Sequence, residues 1–319
     1  ALRKAGPPAK GAEMFVTLEP CSHFGKTPPC ADAVIAAGIA RVVIAMKDPF
    51  EKVSGRGIAR LRKAGVKVEV GLLEAEARAL NAPYIKLRTK GLPYVTVKYA
   101  MTADGRIATA SGDSRWISCE TSRARVHRIR GMMDAIVIGV ETAIADDPLL
   151  TARPAGVRTP VRIVLDSTAR LPLRSKLVKT AADVPLIVAV TKAAPLAKRR
   201  LLESAGVEIV TLPGTKRVSL AALLRLLGRR EMTNVLVEGG AAVIGGFIDQ
   251  HLVDEMIVFV APKIAGAGKS PIQAKGVKAM RDCLVLEDVH YEKSGSDMLM
   301  QGRVVYPATP RKAAARTNR

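Results

Sequence analysis

Long apolar runs, paired cysteines and aromatic surface are all scarce in this chain, and each scarcity removes a class of protein. The apolar residues come in short runs such as "RVVIAM", "AIVIGV" and "PLIVAV", none approaching the roughly 20 residues that a bilayer-spanning helix needs. Cys21, Cys30, Cys119 and Cys283 are too few and too scattered for a disulfide framework, which predicts a reducing, cytoplasmic setting. Aromatics make up 3% of the residues, too few for the stacking platforms that hold unpaired bases. Acidic residues are also short, with 29 Asp and Glu against 50 Lys and Arg and a net charge of +21. That charge would attract nucleic acid, anionic lipid or phosphorylated small molecules. Apart from the tail "RKAAARTNR", however, the cations are dispersed, which argues against a dedicated nucleic-acid surface. The N-terminus "ALRKAGPPAKGAE" has neither an initiating methionine nor an apolar segment, so it reads as the start of a fragment and not as a signal peptide.

What is present suggests two domains, since 319 residues exceed one compact core. From Glu13 to about Leu87, "EMFVTLE", "RVVIAM" and "VKVEV" read as strands, alternating with the helical patterns "CADAVIAAG", "GRGIARLRKAG" and "LEAEARALNAPYIKLR". Such alternation predicts βαβ units and a mostly parallel sheet. Gly91 and Pro93 in "TKGLPY" place a domain boundary near residue 90. The second region opens on the strand "YVTVKYAM", continues with a helix expected to be capped by Ser118, and then carries the buried strands "DAIVIG", "VRIVLD", "PLIVAV", "VEIVTL" and "NVLVEGG". Three later strand-like segments, "DEMIVFVAP", "CLVLEDVHYEK" and "DMLMQGRVVYP", have no long helix between them, so antiparallel edge strands and a mixed sheet are expected.

Three glycine-rich stretches differ in promise. "GRGIAR" has Arg60 where a dinucleotide fingerprint needs its last glycine, and "GAGKS" has Lys263 in place of a phosphate loop's first glycine, with Pro271 where the helix should run. "EGGAAVIGGF", Glu238 to Phe247, follows a buried strand and opens a helix, so its free N–H groups could hold phosphate. In "PCSHFGKTPPC", Cys21 and Cys30 are separated by eight residues. Zinc deaminases take two ligands from a P-C loop, usually with two residues between the cysteines. On spacing alone, a zinc site and a structural loop both remain open.

With "FVTLEPCSHFGKTPPCADAVIAAGIARVVIAMKDP" and "GRGIARLRKAGV" beside it, the first region resembles the deaminase domain of bacterial bifunctional riboflavin biosynthesis deaminase/reductase proteins. In that family the long cysteine loop is normal, and the resemblance implies Cys21 and Cys30 as zinc ligands. The family's zinc histidine and proton-shuttling glutamate lie in an "HAEVNAL"-like segment, which the resemblance places upstream of Ala1. No catalytic residue of the deaminase is therefore expected within the chain, and its deaminase activity is expected to be lost. His23 lacks a paired glutamate and is a poor substitute.

The remainder, through "VKYAMTADGRIATASGDSRWIS", "ARVHRIRGMMDAIVIGVETAIADDPLLTAR" and "VLVEGGAAVIGGFI", resembles the same family's reductase domain. The implied architecture is an N-terminally truncated, cytidine-deaminase-like α/β/α domain over 1–90 and a dihydrofolate-reductase-like α/β domain with a mixed sheet over 91–307. A basic, disordered tail follows over 308–319. The implied chemistry is NADPH-dependent reduction of a phosphorylated ribosylamino-pyrimidine to its ribityl form, with Zn2+ serving the deaminase of the full-length protein. By resemblance, Ser114, Arg130, Leu150, Arg153 and Glu238 contact substrate. Ala100, Trp116, Thr142, Asp146, Ser167, Gly240, Ala241, Ala242, Val243, Ile244, Gly245 and Gly246 contact NADPH, and Lys98 and Asp104 have a supporting part. Paired guanidinium contacts suit the substrate's phosphate.

By residue type, Trp116 could equally be core, Asp146 and Asp147 could cap a turn, and His127 reads as an ordinary helix histidine. "YAMTADG" in place of "ASLDG", and Cys119 in place of a small polar residue, depart from the family pattern. A homo-oligomer is expected, with neither nucleic acid nor membrane as partner. Two rivals stand beside this reading, a nucleic-acid-binding or editing deaminase and a pterin reductase; a pterin without a phosphate would give Arg130 and Arg153 nothing to hold.

Overall fold

The computed structural model describes residues 1–25, 27–51, 53–156 and 158–307; the tail expected over 308–319 lies outside the described residues. The chain divides between Pro93 and Tyr94 into two compact units. Among the described residues no helix is long and apolar enough to cross a membrane.

The first unit runs α1 (Leu2–Ala5), β1 (Glu13–Leu18), α2 (Cys30–Ala36), β2 (Arg41–Met46), α3 (Arg56–Lys63), β3 (Lys67–Val70), α4 (Glu74–Leu80) and α5 (Ala82–Lys90). Its sheet has the order β1-β2-β3, with both pairings parallel. The β-branched strand β2 is central, and its Val42 and Ile44 are fully buried against Ala31, Val34, Ile58 and Leu61 of α2 and α3. That arrangement follows from parallel strands needing helical cover. The single helix expected over "LEAEARALNAPYIKLR" is two. Pro83 in the first turn of α5 has no N–H to continue a helix from α4, and Asn81 between them turns its side chain back onto the Ala77 carbonyl at 2.8 Å.

The second unit holds β4 (Tyr94–Thr102), β5 (Ala108–Thr109), α6 (Glu120–Arg130), β6 (Ala135–Gly139), α7 (Val140–Asp146), β7 (Val161–Leu165), α8 (Lys176–Lys179), β8 (Leu186–Val190) and α9 (Leu196–Ser204). It continues with β9 (Glu208–Thr211), α10 (Leu220–Arg229), β10 (Asn234–Gly239), α11 (Ala241–Asp249), β11 (Glu255–Ala261), β12 (Gly268–Lys269), β13 (Val285–Ser294) and β14 (Asp297–Val305). Nine strands form one sheet in the order β13-β14-β11-β4-β10-β6-β7-β8-β9. The seven from β11 to β9 are parallel, and β14 and β13 add an antiparallel edge, giving the mixed sheet. Strand β4, first in sequence, lies between β10 and β11.

Within the apolar strand β7, Arg162 is fully buried. Its Nη1 donates to Thr180 Oγ1 at 2.7 Å, and its Nη2 donates to the Thr180 carbonyl at 3.0 Å and to that of Val184. Burial pushes its pKa down to about 10. The expected cap at Ser118 is shifted by one residue. Cys119 is the N-cap of α6 without a side-chain cap bond; its N–H instead donates to Asp297 Oδ2 at 2.8 Å, and its thiol lies 3.1 Å from the Ser294 carbonyl. The hairpin between β13 and β14 thus holds the start of α6, an acceptor too distant in sequence for a local cap rule to find.

Candidate active site

The carboxyl ends of parallel strands are where open α/β sheets bind ligands, and Ala100 of β4, Thr142 after β6, Ser167 after β7 and Glu238 of β10 lie toward those ends. Register between β10 and β6 shifts between Val237 and Gly239, leaving Glu238 in a bulge, a feature that re-aims a side chain. Glu238 meets Arg130 of α6 in a two-pronged ion pair, Nε to Oε1 at 2.5 Å and Nη2 to Oε2 at 2.8 Å. Both side chains are largely buried, 14% and 6% exposed. Burial opposes both charges, yet the pairing wins: the Arg130 pKa moves up and the Glu238 carboxyl is held below its ordinary range.

Lys98 follows Val97, the β4 partner of Val237, and so stands beside Glu238 across the strand pair. Burial lowers its pKa, which Glu238 resists and Arg130 reinforces. His127, one turn before Arg130 on the same helix face, has Nδ1 2.9 Å from the Thr151 carbonyl and Nε2 3.2 Å from Arg153 Nη2. Leu150, buried with a positive φ of 53°, starts this loop. Arg130, Arg153, Leu150 and Glu238 therefore share one region. His127, which residue type alone leaves as an ordinary helix histidine, binds two of its members together. Its i, i+3 spacing to Arg130 was the available signal.

A second cluster forms around a cavity of about 210 Å³ lined by Thr102, Ser114, Trp116, Ile117, Lys263 and Ala265 among others. Trp116 is 61% exposed and not core; Arg123 lies over its ring at 4.5 Å, and Lys263 Nζ donates to its carbonyl at 2.5 Å. Asp104 accepts from Thr102 Oγ1 at 2.5 Å and from the N–H groups of Ala265 at 3.1 Å and Gly266 at 2.7 Å, and these bonds hold its pKa down at about 2. It ties the "GAGKS" loop to β4. Asp146 is half-buried, and burial raises its carboxyl pKa against the opposing pull of Arg115 and Lys269.

The glycine turn lies at the start of α11. Gly240, its N-cap, has φ 81°, and a Cβ there would lie 3.2 Å from Thr142 Oγ1, so a side chain would be strained and crowd the opening. Thr142 thus meets the glycine turn directly. Further along, Ile244 and Gly245 are buried, and a Cβ on Gly245 would lie 1.9 Å from the Gln273 carbonyl oxygen. Those two face packing, whereas Ala241, Ala242 and Val243 are partly exposed at the helix opening. Ser167 follows β7 and accepts from the Val218 N–H at 3.2 Å, and Ala100 lies in β4 against the core.

In the first unit, the Cys30 N–H donates to Cys21 Sγ at 3.3 Å, so the two sulfurs lie side by side at the start of α2. Burial and the neighbouring Cys21 push the Cys30 thiol up. The loop is anchored by Glu19, which residue type did not single out. Buried in the protein, it accepts from the N–H groups of Asp48 at 3.2 Å, Gly55 at 2.9 Å, Gly57 at 3.0 Å and Ile58 at 3.1 Å. His23 stands edge-on to Phe50, and its Nδ1 lacks a hydrogen-bond partner. Two thiols fit half of a tetrahedral zinc site; among the described residues no three His, Cys, Asp or Glu side chains are grouped to hold a metal.

Comparison with known proteins covers both units. The RibD C-terminal domain family matches residues 93–300, and the cytidine and deoxycytidylate deaminase zinc-binding region matches residues 1–46. The riboflavin biosynthesis protein RibD of Aquifex aeolicus is 41% identical over 301 residues, covering 94% of this chain and 83% of its own. Among solved structures, RibD of Acinetobacter baumannii superposes with a TM-score of 0.83 at 35% identity, covering 96% of this chain and 84% of its own. A Thermotoga maritima diaminohydroxyphosphoribosylaminopyrimidine deaminase/5-amino-6-(5-phosphoribosylamino)uracil reductase does so with a TM-score of 0.78 at 34% identity, covering 95% and 82%.

Proposed function

The chain belongs to the RibD family of riboflavin biosynthesis proteins, and from that premise we propose that its second unit reduces 5-amino-6-(5-phosphoribosylamino)uracil to the ribityl compound with NADPH. The observation that carries the reading is the buried Arg130–Glu238 pair flanked by Lys98, His127 and Arg153. It sets cations for a phosphorylated sugar beside a glycine cradle at a helix start. The cradle fits a dinucleotide because Gly240 adopts a left-handed φ and leaves space that a Cβ would take. Thr142, Ser167, Trp116, Ala100, Asp146 and the Gly240–Val243 helix opening would hold the cofactor, with Ile244 and Gly245 packing that helix in place. NADPH, when bound, supplies the hydride.

The chain's own groups do the rest. Arg153 and Ser114 meet the 5′-phosphate, Leu150 bounds the substrate, and Arg130 is held by Glu238 and the Thr151 carbonyl, its two other N–H groups serving the substrate. Lys98 is the proton donor in this reading. Burial makes its Nζ a better acid than an exposed lysine, suited to the sugar oxygen whose bond to the first carbon must open before reduction. In the full-length protein the first unit would serve the zinc-dependent deamination of the diamino-hydroxy-phosphoribosylamino-pyrimidine, with Cys21 and Cys30 as two of the metal's ligands, whereas this chain is expected to lack that activity.

Loss of NADPH absorbance with the phosphorylated uracil compound tests the reductase. Arg130→Ala should raise KM for that compound by at least tenfold, the loss of a charged hydrogen bond being about 1.5–3 kcal/mol, and leave NADPH affinity unchanged. A variant that instead loses NADPH affinity would show that substrate and cofactor regions are misassigned, and no oxidation by the parent would refute the reductase.

A further inference from the structure

On the reading that this site takes a phosphorylated substrate, we propose that His127 is a positioning residue: as the neutral tautomer protonated on Nδ1, it holds the Arg153 guanidinium where it meets the substrate phosphate, and taking up a proton releases it. The hydrogen bonds leave one consistent tautomer. A carbonyl can only accept, so Nδ1, 2.9 Å from the Thr151 oxygen, carries the hydrogen. A guanidinium can only donate, so Nε2, 3.2 Å from Arg153 Nη2, must offer its lone pair. A proton on Nε2 would set two donors and two positive charges face to face.

The same Thr151 carbonyl receives Arg130 Nη1 at 3.4 Å, so His127 joins the loop carrying Arg153 to the helix carrying Arg130. The charges acting on His127 are Arg130 on its own helix, Arg153 on the loop after α7, and Glu238 on β10. Burial, then Arg130 and Arg153, depress its pKa against the opposing pull of Thr151 and Glu238. The acceptor form is therefore present at neutral pH, and Arg153 is freed only on the acid side of histidine's ordinary value of about 6.5.

The experiment compares the parent with His127→Gln and His127→Leu in the NADPH-dependent reduction of the phosphorylated uracil compound from about pH 5 to pH 8. Glutamine offers a neutral acceptor near the position of Nε2 and does not titrate. The substrate phosphate also titrates near pH 6, but equally for all three proteins, so the quantity read is the ratio of KM values. At pH 7.5 His127→Gln should lie within about twofold of the parent, and His127→Leu about tenfold higher in KM with kcat unchanged. As pH falls, the parent's KM should rise relative to that of His127→Gln. Calorimetric titration with ribose 5-phosphate as probe should give the same ratios without turnover. Equal KM increases in both variants, a parent-to-glutamine ratio that ignores pH, or an effect confined to kcat would overturn the proposal. Failure of the reductase reading looks different: the parent oxidises no NADPH at any pH, while the probe titration still decides the role of His127.

Discussion

Replacing Glu238 by glutamine would leave the Arg130 guanidinium with one neutral acceptor where it had a two-pronged carboxylate, and would leave Lys98 without its nearest counter-charge. Arg130 and Glu238 are 14% and 6% exposed, so water cannot make up the loss. Breaking a buried pair by removing one partner costs about 3–5 kcal/mol, and the acceptor that glutamine retains places this variant near the lower figure. For a unit of this size that corresponds to a Tm lower by roughly 10 °C. Trp116 is the only tryptophan and lies in the second unit, so urea unfolding followed by its fluorescence reads that unit alone.

The pH dependence gives the sharper test. Arg130, opposed by burial, holds the Glu238 carboxyl below its ordinary range, so its contribution is complete above the unfolded carboxyl pKa of about 4.3 and is lost as pH falls through the folded value. The gap between parent and Glu238→Gln should be full at pH 7 and should narrow below about pH 4. In a double-mutant cycle with Arg130→Met, the two changes should couple by at least about 1 kcal/mol. Equal urea midpoints at pH 7, or a gap that persists unchanged at pH 3, would refute the reasoning.

Two further outcomes are expected. Gly240→Val should abolish NADPH binding, read from the fluorescence of the bound dinucleotide, with the unit still folded; Gly245→Val should instead unfold the unit, because its Cβ would meet the Gln273 backbone at 1.9 Å. Glu19→Ala should release four backbone N–H groups at once, accelerating amide exchange at Asp48, Gly55, Gly57 and Ile58 and costing more than about 2 kcal/mol; unchanged exchange there would show that the carboxylate is not the anchor of the cysteine loop.

Periodic features were the legible ones. The parallel strands, the antiparallel edge after α11 and the helix opening at Gly240 all follow from short-range pattern, because strand and helix periods are set by neighbouring residues. Resemblance brought Arg130 and Glu238 into one list, but not into a pair: they are 108 positions apart, and the bulge that aims Glu238 arises from pairing with β6. His127 looked ordinary because both of its partners lie on a loop 24 and 26 positions away. Arg162 sits in a strand that reads as apolar throughout, and its acceptors are carbonyls that no residue type announces. Trp116 shows the converse: composition favours burial for a lone tryptophan, yet it lies open beneath Arg123.

The position of β4 also governs the order in which the second unit can be built. It is the first strand of that unit to be made, and its two neighbours come only after β6, β7, β8 and β9: Val95 pairs with Val235, and Thr96 with Glu255. At about 5–20 residues per second, a ribosome adds the intervening stretch in roughly 10–30 s. For that interval both edges of β4 are unsatisfied, and neither the Lys98–Glu238 neighbourhood nor the sheet's continuity across its centre can exist. The site is thus completed only once β10 has been made, in a topology dominated by long-range contacts that favours slow closure.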